Sequence, residues 1–116
     1  MQKVSMCFVV IFMAISSAWA QEAGNADEVR KGHELAAIVC SNCHVAAADQ
    51  RYNPLLNPPA PSFVSIAQRN NISAASLRTF VTTTHRGLDN PSGMPNPYLS
   101  DEQAQQVVAY ILSLRK

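Results

Sequence analysis

The sequence has little of what several common kinds of domain require. Only 15% of its 116 residues are charged, and the formal net charge is +1. No block of basic residues occurs, and phosphate binding needs a clustered positive field, which argues against nucleic acid as a partner. No segment alternates between apolar and polar residues as a half-buried strand would. The length allows one small domain and no more.

The one long apolar run lies at the N terminus. It extends from Val4 to Ile15 and follows the positive charge of Lys3. Small residues then stand at Ala18 and Ala20, in the arrangement that a signal peptidase recognises. The pattern predicts a signal peptide over residues 1–20, cleavage after Ala20, and a mature domain over residues 21–116.

Two other interpretations of this segment fit the sequence less well. An uncleaved membrane anchor would need about 20 apolar residues to span a bilayer, and this run is shorter. A lipidated cysteine would follow the apolar run, whereas Cys7 precedes most of it. We therefore expect export to the periplasm, with no membrane insertion after the signal peptide is removed.

The mature chain is poor in large aromatic residues. Residues 21–116 contain no tryptophan and two phenylalanines, and their basic and acidic residues are equal in number. A domain of this size has a marginal core even when it is well supplied with apolar side chains. The composition therefore predicts that a group other than side chains fills the centre.

Helical patterns occur in four segments. The first begins near Asn25 or Asp27 and ends near Cys40, with apolar residues at helical spacing. Serine favours helix N-caps, and three later serines stand where a cap is expected: Ser62, Ser73 and Ser100. The helix after Ser73 would present one apolar face, made of Leu77, Phe80, Val81 and Thr84.

Two long loops separate these helices. Four prolines within residues 45–61 exclude a regular helix or a central strand there. A second loop, rich in Gly, Pro and Asn, covers residues 86–99. The pattern predicts an all-α domain with three principal helices, and long loops in such compact domains are usually functional.

The strongest chemical signal is Cys40-Ser41-Asn42-Cys43-His44, the C-x-x-C-H signature of haem attachment. Two thiols three positions apart can each add to a haem vinyl group, while the next residue offers an imidazole to the iron. A redox C-x-x-C would need a βαβ context, and a zinc site would need further ligands such as His33 or His85. A plain disulfide is the third alternative in an exported protein.

Haem iron takes a sixth ligand, for which Met94 is the candidate. It is the one methionine of residues 21–116, and it lies in a Gly/Pro loop as Gly93-Met94-Pro95. A lone methionine is more often a core residue, but the loop and the nearby haem motif favour ligation. His85 is the rival ligand, and His33 is expected at the surface.

Taken together, these motifs resemble those of the class I cytochromes c in their short bacterial periplasmic form. The resemblance covers nearly all of residues 27–115 and keeps the family's motif order. Ala60-Pro61-Ser62-Phe63 is similar to its Gly-Pro-x-Leu segment, and residues 107–112 are similar to its C-terminal helix. The resemblance implies a class I cytochrome c fold around one covalently bound haem c.

Further positions follow from the resemblance. In the family, a glycine eight residues before the first haem cysteine lets the C-terminal helix cross closely, and Gly32 and Tyr110 match this crossing. Ala36 stands where the family often has an aromatic residue. The loop after His44 is longer than usual, so either Pro61 or Pro59 would accept the hydrogen bond from the ligand histidine.

The site expected on this basis is a covalent haem with two axial ligands. Its residues are Cys40, Cys43, His44 and Met94, with Pro61, Phe63, Ile66, Leu77 and Phe80 as further haem contacts. We expect a monomeric electron carrier with transient redox partners, and no enzymatic activity. Two alternatives are a dedicated subunit of a periplasmic dehydrogenase and a ligand-binding or peroxidase-like haem protein.

Overall fold

The computed structural model of the protein describes residues 25–85, 87 and 90–116. The predicted signal peptide lies outside these residues. Four helices follow one another: α1 (25–39), α2 (Phe63–Ala67), α3 (Ala74–Val81) and α4 (Asp101–Ser113). No strand occurs in the described ranges, where one isolated parallel bridge joins His44 to Ala60. The all-α prediction is confirmed.

The three predicted serine caps are all present. The hydroxyl of Ser62 accepts a hydrogen bond from the backbone N–H of Ser65 at the start of α2. Ser73 and Ser100 each form a capping box, in which side chain and backbone bond reciprocally across the first turn. These local bonds explain why helices begin at these points. The predicted face of α3 is wrong at Thr84, because the helix ends at Val81.

Helix α4 is the element against which the other helices pack. It contacts both α2 and α3, and five of its side chains are buried: Ala104, Val107, Val108, Tyr110 and Ile111. Four of these, Ala104, Val107, Val108 and Ile111, recur at the spacing of one helix face. The remaining buried apolar side chains come from α1, the loop after it, α2 and α3: Ala36, Ala46, Ala47, Phe63, Ala67, Leu77 and Val81.

Helices α1 and α4 cross at Gly32, which is buried. A Cβ atom at this position would lie 1.9 Å from the carbonyl oxygen of Gln106 and 2.9 Å from the Cβ of Tyr110. The two backbones are therefore closer than any side chain at position 32 allows. This is the crossing that the family resemblance implied, and Ala36 beside it is fully buried.

Within the part of the chain that the structure describes, no helix is long and apolar enough to cross a membrane.

The close crossing predicts that even the addition of one methyl group at Gly32 destabilises the fold. Gly32→Ala would push the new methyl group into the backbone of α4, so we expect the free energy of unfolding to fall by about 1–3 kcal/mol. Denaturant unfolding followed by circular dichroism measures this.

Gly87→Ala is the matched control, because a Cβ at position 87 would have no neighbour within 4 Å among the described residues. We expect this variant to be as stable as the wild type or slightly more so. Equal stabilities of the two variants would contradict the close crossing.

Candidate functional site

A cavity of about 380 Å³ opens between the four helices. A cavity of this size is within the range of pockets that hold small molecules and cofactors. Its lining is mainly apolar and is drawn from the end of α1, from α2 to α4 and from the segment before α4: Val39, Cys40, Cys43, His44, Phe63, Ile66, Arg69, Asn71, Ile72, Ser76, Leu77, Phe80, Val81, Met94, Pro95, Pro97, Leu99, Val107 and Ile111. The cavity therefore lies against the buried core and shares five side chains with it: Phe63, Leu77, Val81, Val107 and Ile111.

The C-x-x-C-H motif forms a tight turn at the end of α1. The backbone N–H groups of Cys43 and His44 both donate to the carbonyl of Cys40, at 3.2 and 2.9 Å. This turn brings both thiols and the imidazole to the lining of one cavity. The two cysteines are free thiols, and burial raises the pKa of Cys40 to about 11, with a smaller contribution from Cys43.

The imidazole of His44 is oriented by the loop that follows the motif. Its Nδ1 donates to the carbonyl oxygen of Pro61 at 2.7 Å, because a carbonyl oxygen can only accept. The neutral ring then carries its lone pair on Nε2, and no described residue hydrogen-bonds that nitrogen. The acceptor is therefore the carbonyl of Pro61 and not that of Pro59, the other candidate in the longer loop.

Backbone pairing holds this loop against the motif. Ala60 N–H donates to the carbonyl of Cys43 at 2.9 Å, and Phe63 N–H donates to the carbonyl of Val45 at 3.0 Å. The ring of Phe63 lies against that of His44, with 5.4 Å between centroids. The imidazole is thus positioned by a hydrogen bond and by an aromatic contact.

Gln50 organises the first part of the loop. Its side-chain oxygen accepts from the N–H of Ala46 at 2.7 Å and of Ala47 at 3.2 Å. Its amide nitrogen donates to the carbonyl of Tyr52 at 2.8 Å. Nothing in the sequence marks this residue, since a glutamine in a polar loop carries no periodic signal.

His33 and Tyr110 connect the helix crossing to the same loop. The Tyr110 hydroxyl donates to the carbonyl of Ala46 at 3.0 Å, and the His33 ring meets the tyrosine edge-on at 5.1 Å between centroids. Asp49 is hydrogen-bonded to His33 at 2.7 Å, which lowers the pKa of its carboxyl group. His33 therefore lies at the surface as expected, but it is only partly exposed.

Met94 lines the cavity, and hydrogen bonds at Met94 and at Asn96 position the backbone of this segment. The N–H of His85 donates to the Met94 carbonyl at 2.8 Å. The amide of Asn96 donates to the carbonyl of Thr82 at 3.1 Å. A Cβ at position 93 would lie 1.7 Å from the carbonyl oxygen of His85, so only glycine allows this approach.

His85, the rival ligand, does not line the cavity. Its ring stacks on Phe80, with 3.8 Å between centroids and an interplanar angle of 14°. Its Nε2 lies 3.2 Å from the hydroxyl of Thr83 and 3.3 Å from the carbonyl of Phe80. Both contacts direct the imidazole toward the end of α3.

The predicted apolar contacts also come together. Phe63, Ile66, Leu77 and Phe80 all line the cavity. Pro61 does not, and its role in the site is the hydrogen bond with His44. Several other lining residues were not predicted, because they have no motif of their own: Val39, Ile72, Pro97, Leu99, Val107 and Ile111.

The chemistry of this donor set fits a covalently bound haem. Two free thiols, a neutral imidazole with its Nε2 lone pair available, and a thioether line one apolar cavity. Imidazole and thioether are common axial ligands of haem iron. The further ligands that a zinc site would need, His33 and His85, are not among the lining residues.

Comparisons with known proteins agree with this geometry. The family model described as cytochrome c matches residues 29–115. The chain is 35% identical to cytochrome c-552 of Bradyrhizobium diazoefficiens over 111 residues, which cover 95% of this chain and 92% of that protein. No solved structure matches the chain significantly.

Proposed function

The chain belongs to the cytochrome c family, and from this premise we propose that it carries single electrons between periplasmic proteins. The proposal includes one haem c, bound through Cys40 and Cys43, with His44 and Met94 as the axial ligands. It also includes removal of residues 1–20 on export. The mature protein is then a small carrier and not an enzyme.

One observation supports the ligand pair more than any other. The hydrogen bond from Nδ1 of His44 to Pro61, 2.7 Å long, leaves Nε2 as the ligating nitrogen. Met94 lines the same cavity and supplies the only thioether of residues 21–116. A second imidazole is disfavoured, because His85 is stacked on Phe80 outside the lining.

The bound haem supplies one-electron chemistry between ferrous and ferric iron. The chain's own residues decide how that chemistry is used. His44 and Met94 would hold the iron from the chain's side, and with both bound no position would remain open for a substrate. The thioether and the apolar lining favour the ferrous state and raise the reduction potential. Such a site transfers electrons without moving a chemical group.

Electron exchange requires the cavity to approach the surface. Val39 and Phe80 both line the cavity, and they are 38% and 45% exposed. Ile38 and Val64, which are sequence neighbours of lining residues, are exposed as well. These side chains offer a small apolar surface of the kind that suits brief encounters between redox proteins.

Covalent attachment and processing are tested together. We expect the intact mass of protein purified from the periplasm to correspond to a chain that starts at Gln21 and carries one haem. The haem should remain attached after denaturation and acid-acetone extraction, because thioether bonds do not depend on the fold. A freely extractable haem, or covalent haem in a Cys40→Ala/Cys43→Ala variant, would contradict the attachment sites. A mature protein that retains Met1 would contradict processing.

The ligand pair predicts the behaviour of Met94→Ala. The oxidised wild type should show the weak near-red band of sulfur-to-iron ligation, and the variant should lose it. With one axial position open, the reduced variant should bind carbon monoxide readily, which the wild type should resist. Its reduction potential should be lower, because the thioether stabilises ferrous iron.

His85→Ala is the control for this experiment. Because its imidazole lies outside the cavity lining, this variant should keep the near-red band. Persistence of the band in Met94→Ala, or its loss in His85→Ala alone, would refute the assignment of Met94.

A further inference from the structure

The backbone of residues 45–50 forms neither a helix nor a strand. Buried N–H and C=O groups nevertheless need partners, and Ala46 and Ala47 are almost fully buried, at 1% and 4% exposure. The side-chain oxygen of Gln50 accepts hydrogen bonds from the N–H groups of both residues. Loss of that oxygen would leave two buried donors without a partner among the described residues, which is costly.

The nitrogen of the same amide connects this turn to the residues on either side of it. It donates to the carbonyl of His44 at 3.4 Å and to that of Tyr52 at 2.8 Å. The half-buried Gln50 side chain therefore uses both its oxygen and its nitrogen on backbone groups. One side chain fixes an irregular stretch of backbone that begins at the histidine of the haem motif.

The backbone that Gln50 holds is also the partner of the segment that orients the imidazole. The carbonyl of Val45 accepts from the N–H of Phe63 at 3.0 Å. Pro61, two residues before Phe63, accepts from Nδ1 of His44 at 2.7 Å. A shift of Val45 would move Phe63 and with it the carbonyl of Pro61. The hydrogen bonds of Gln50 and that of the imidazole are therefore coupled through a short path of backbone.

We propose that Gln50 is a positioning residue for the axial ligand His44. By fixing the backbone after the ligand, it keeps the imidazole hydrogen-bonded to Pro61. A hydrogen bond from the second ring nitrogen makes the ligating nitrogen a stronger electron donor, and a stronger donor favours ferric iron. Gln50 thus keeps the reduction potential lower than a loosely held imidazole would. This inference rests on the proposed function, because it requires iron bound to His44.

The test replaces Gln50 by leucine in the protein that carries covalent haem. Gln50→Leu is close in size but removes every side-chain hydrogen bond, so we expect the bond between His44 and Pro61 to open more often. The reduction potential should rise. The Nδ1 proton of His44 in the reduced protein should exchange with solvent about fivefold faster or more, as measured by NMR. The near-red band of Met94 ligation should be retained.

Gln68→Leu is the matched control. The Gln68 side chain also donates to a backbone carbonyl, that of Leu114 at 3.2 Å, but it does not line the cavity. This variant loses a hydrogen bond of the same kind, and its reduction potential and Nδ1 proton exchange should be those of the wild type. An intact Gln50→Leu holoprotein whose potential and exchange coincide with those of Gln68→Leu would overturn the inference.

A second measurement needs no variant, so it decides the matter even if Gln50→Leu fails to fold. In the reduced wild type, NMR should detect a scalar coupling across the hydrogen bond between the amide nitrogen of Ala46 and the side-chain carbonyl carbon of Gln50. Absence of this coupling would overturn the inference while leaving the proposed function intact. A wild type without covalent haem would instead overturn the proposed function, and this inference with it.

Discussion

The fold depends on an apolar cavity of about 380 Å³ whose lining shares several side chains with the buried core. Val107 and Ile111 of α4 line this cavity with Phe63 of α2 and Leu77 of α3, so these helices meet around it as well as directly. A small domain has little apolar surface to bury, and this one has two phenylalanines and no tryptophan in residues 21–116. In a family whose members bind haem covalently, the cofactor would fill this cavity and supply the chemistry.

Two close contacts position other parts of the fold around that cavity. At Gly32 the backbones of α1 and α4 lie so close together that not even a methyl group fits between them. This contact fixes the direction in which α1 ends at the cysteine motif. At Pro61 the long loop returns to hydrogen-bond His44. Tyr110 joins these two features, because it packs at the crossing and donates to Ala46 in the loop. Helix crossing, loop and imidazole therefore form one connected unit.

Much of this arrangement was predictable from local sequence. Serine caps define helix starts through bonds within one turn, and C-x-x-C-H needs a single turn of backbone, so both were found correctly. Roles without a periodic or motif signal were missed: Gln50 bonds nearby backbone groups in an irregular loop, and His33 meets Tyr110 across the crossing. The choice of Pro61 over Pro59 was also beyond the sequence, since it depends on the path of a loop without periodicity.

Amide hydrogen exchange would show whether bound haem completes the packing of this protein. The mature chain would be compared with and without covalently bound haem. We expect the amides of α3 and of the segment around Met94 to be strongly protected in the holoprotein. In the haem-free chain this protection should be lost, because the packing partner of both segments is gone. Equal protection of α3 in the two forms would contradict it.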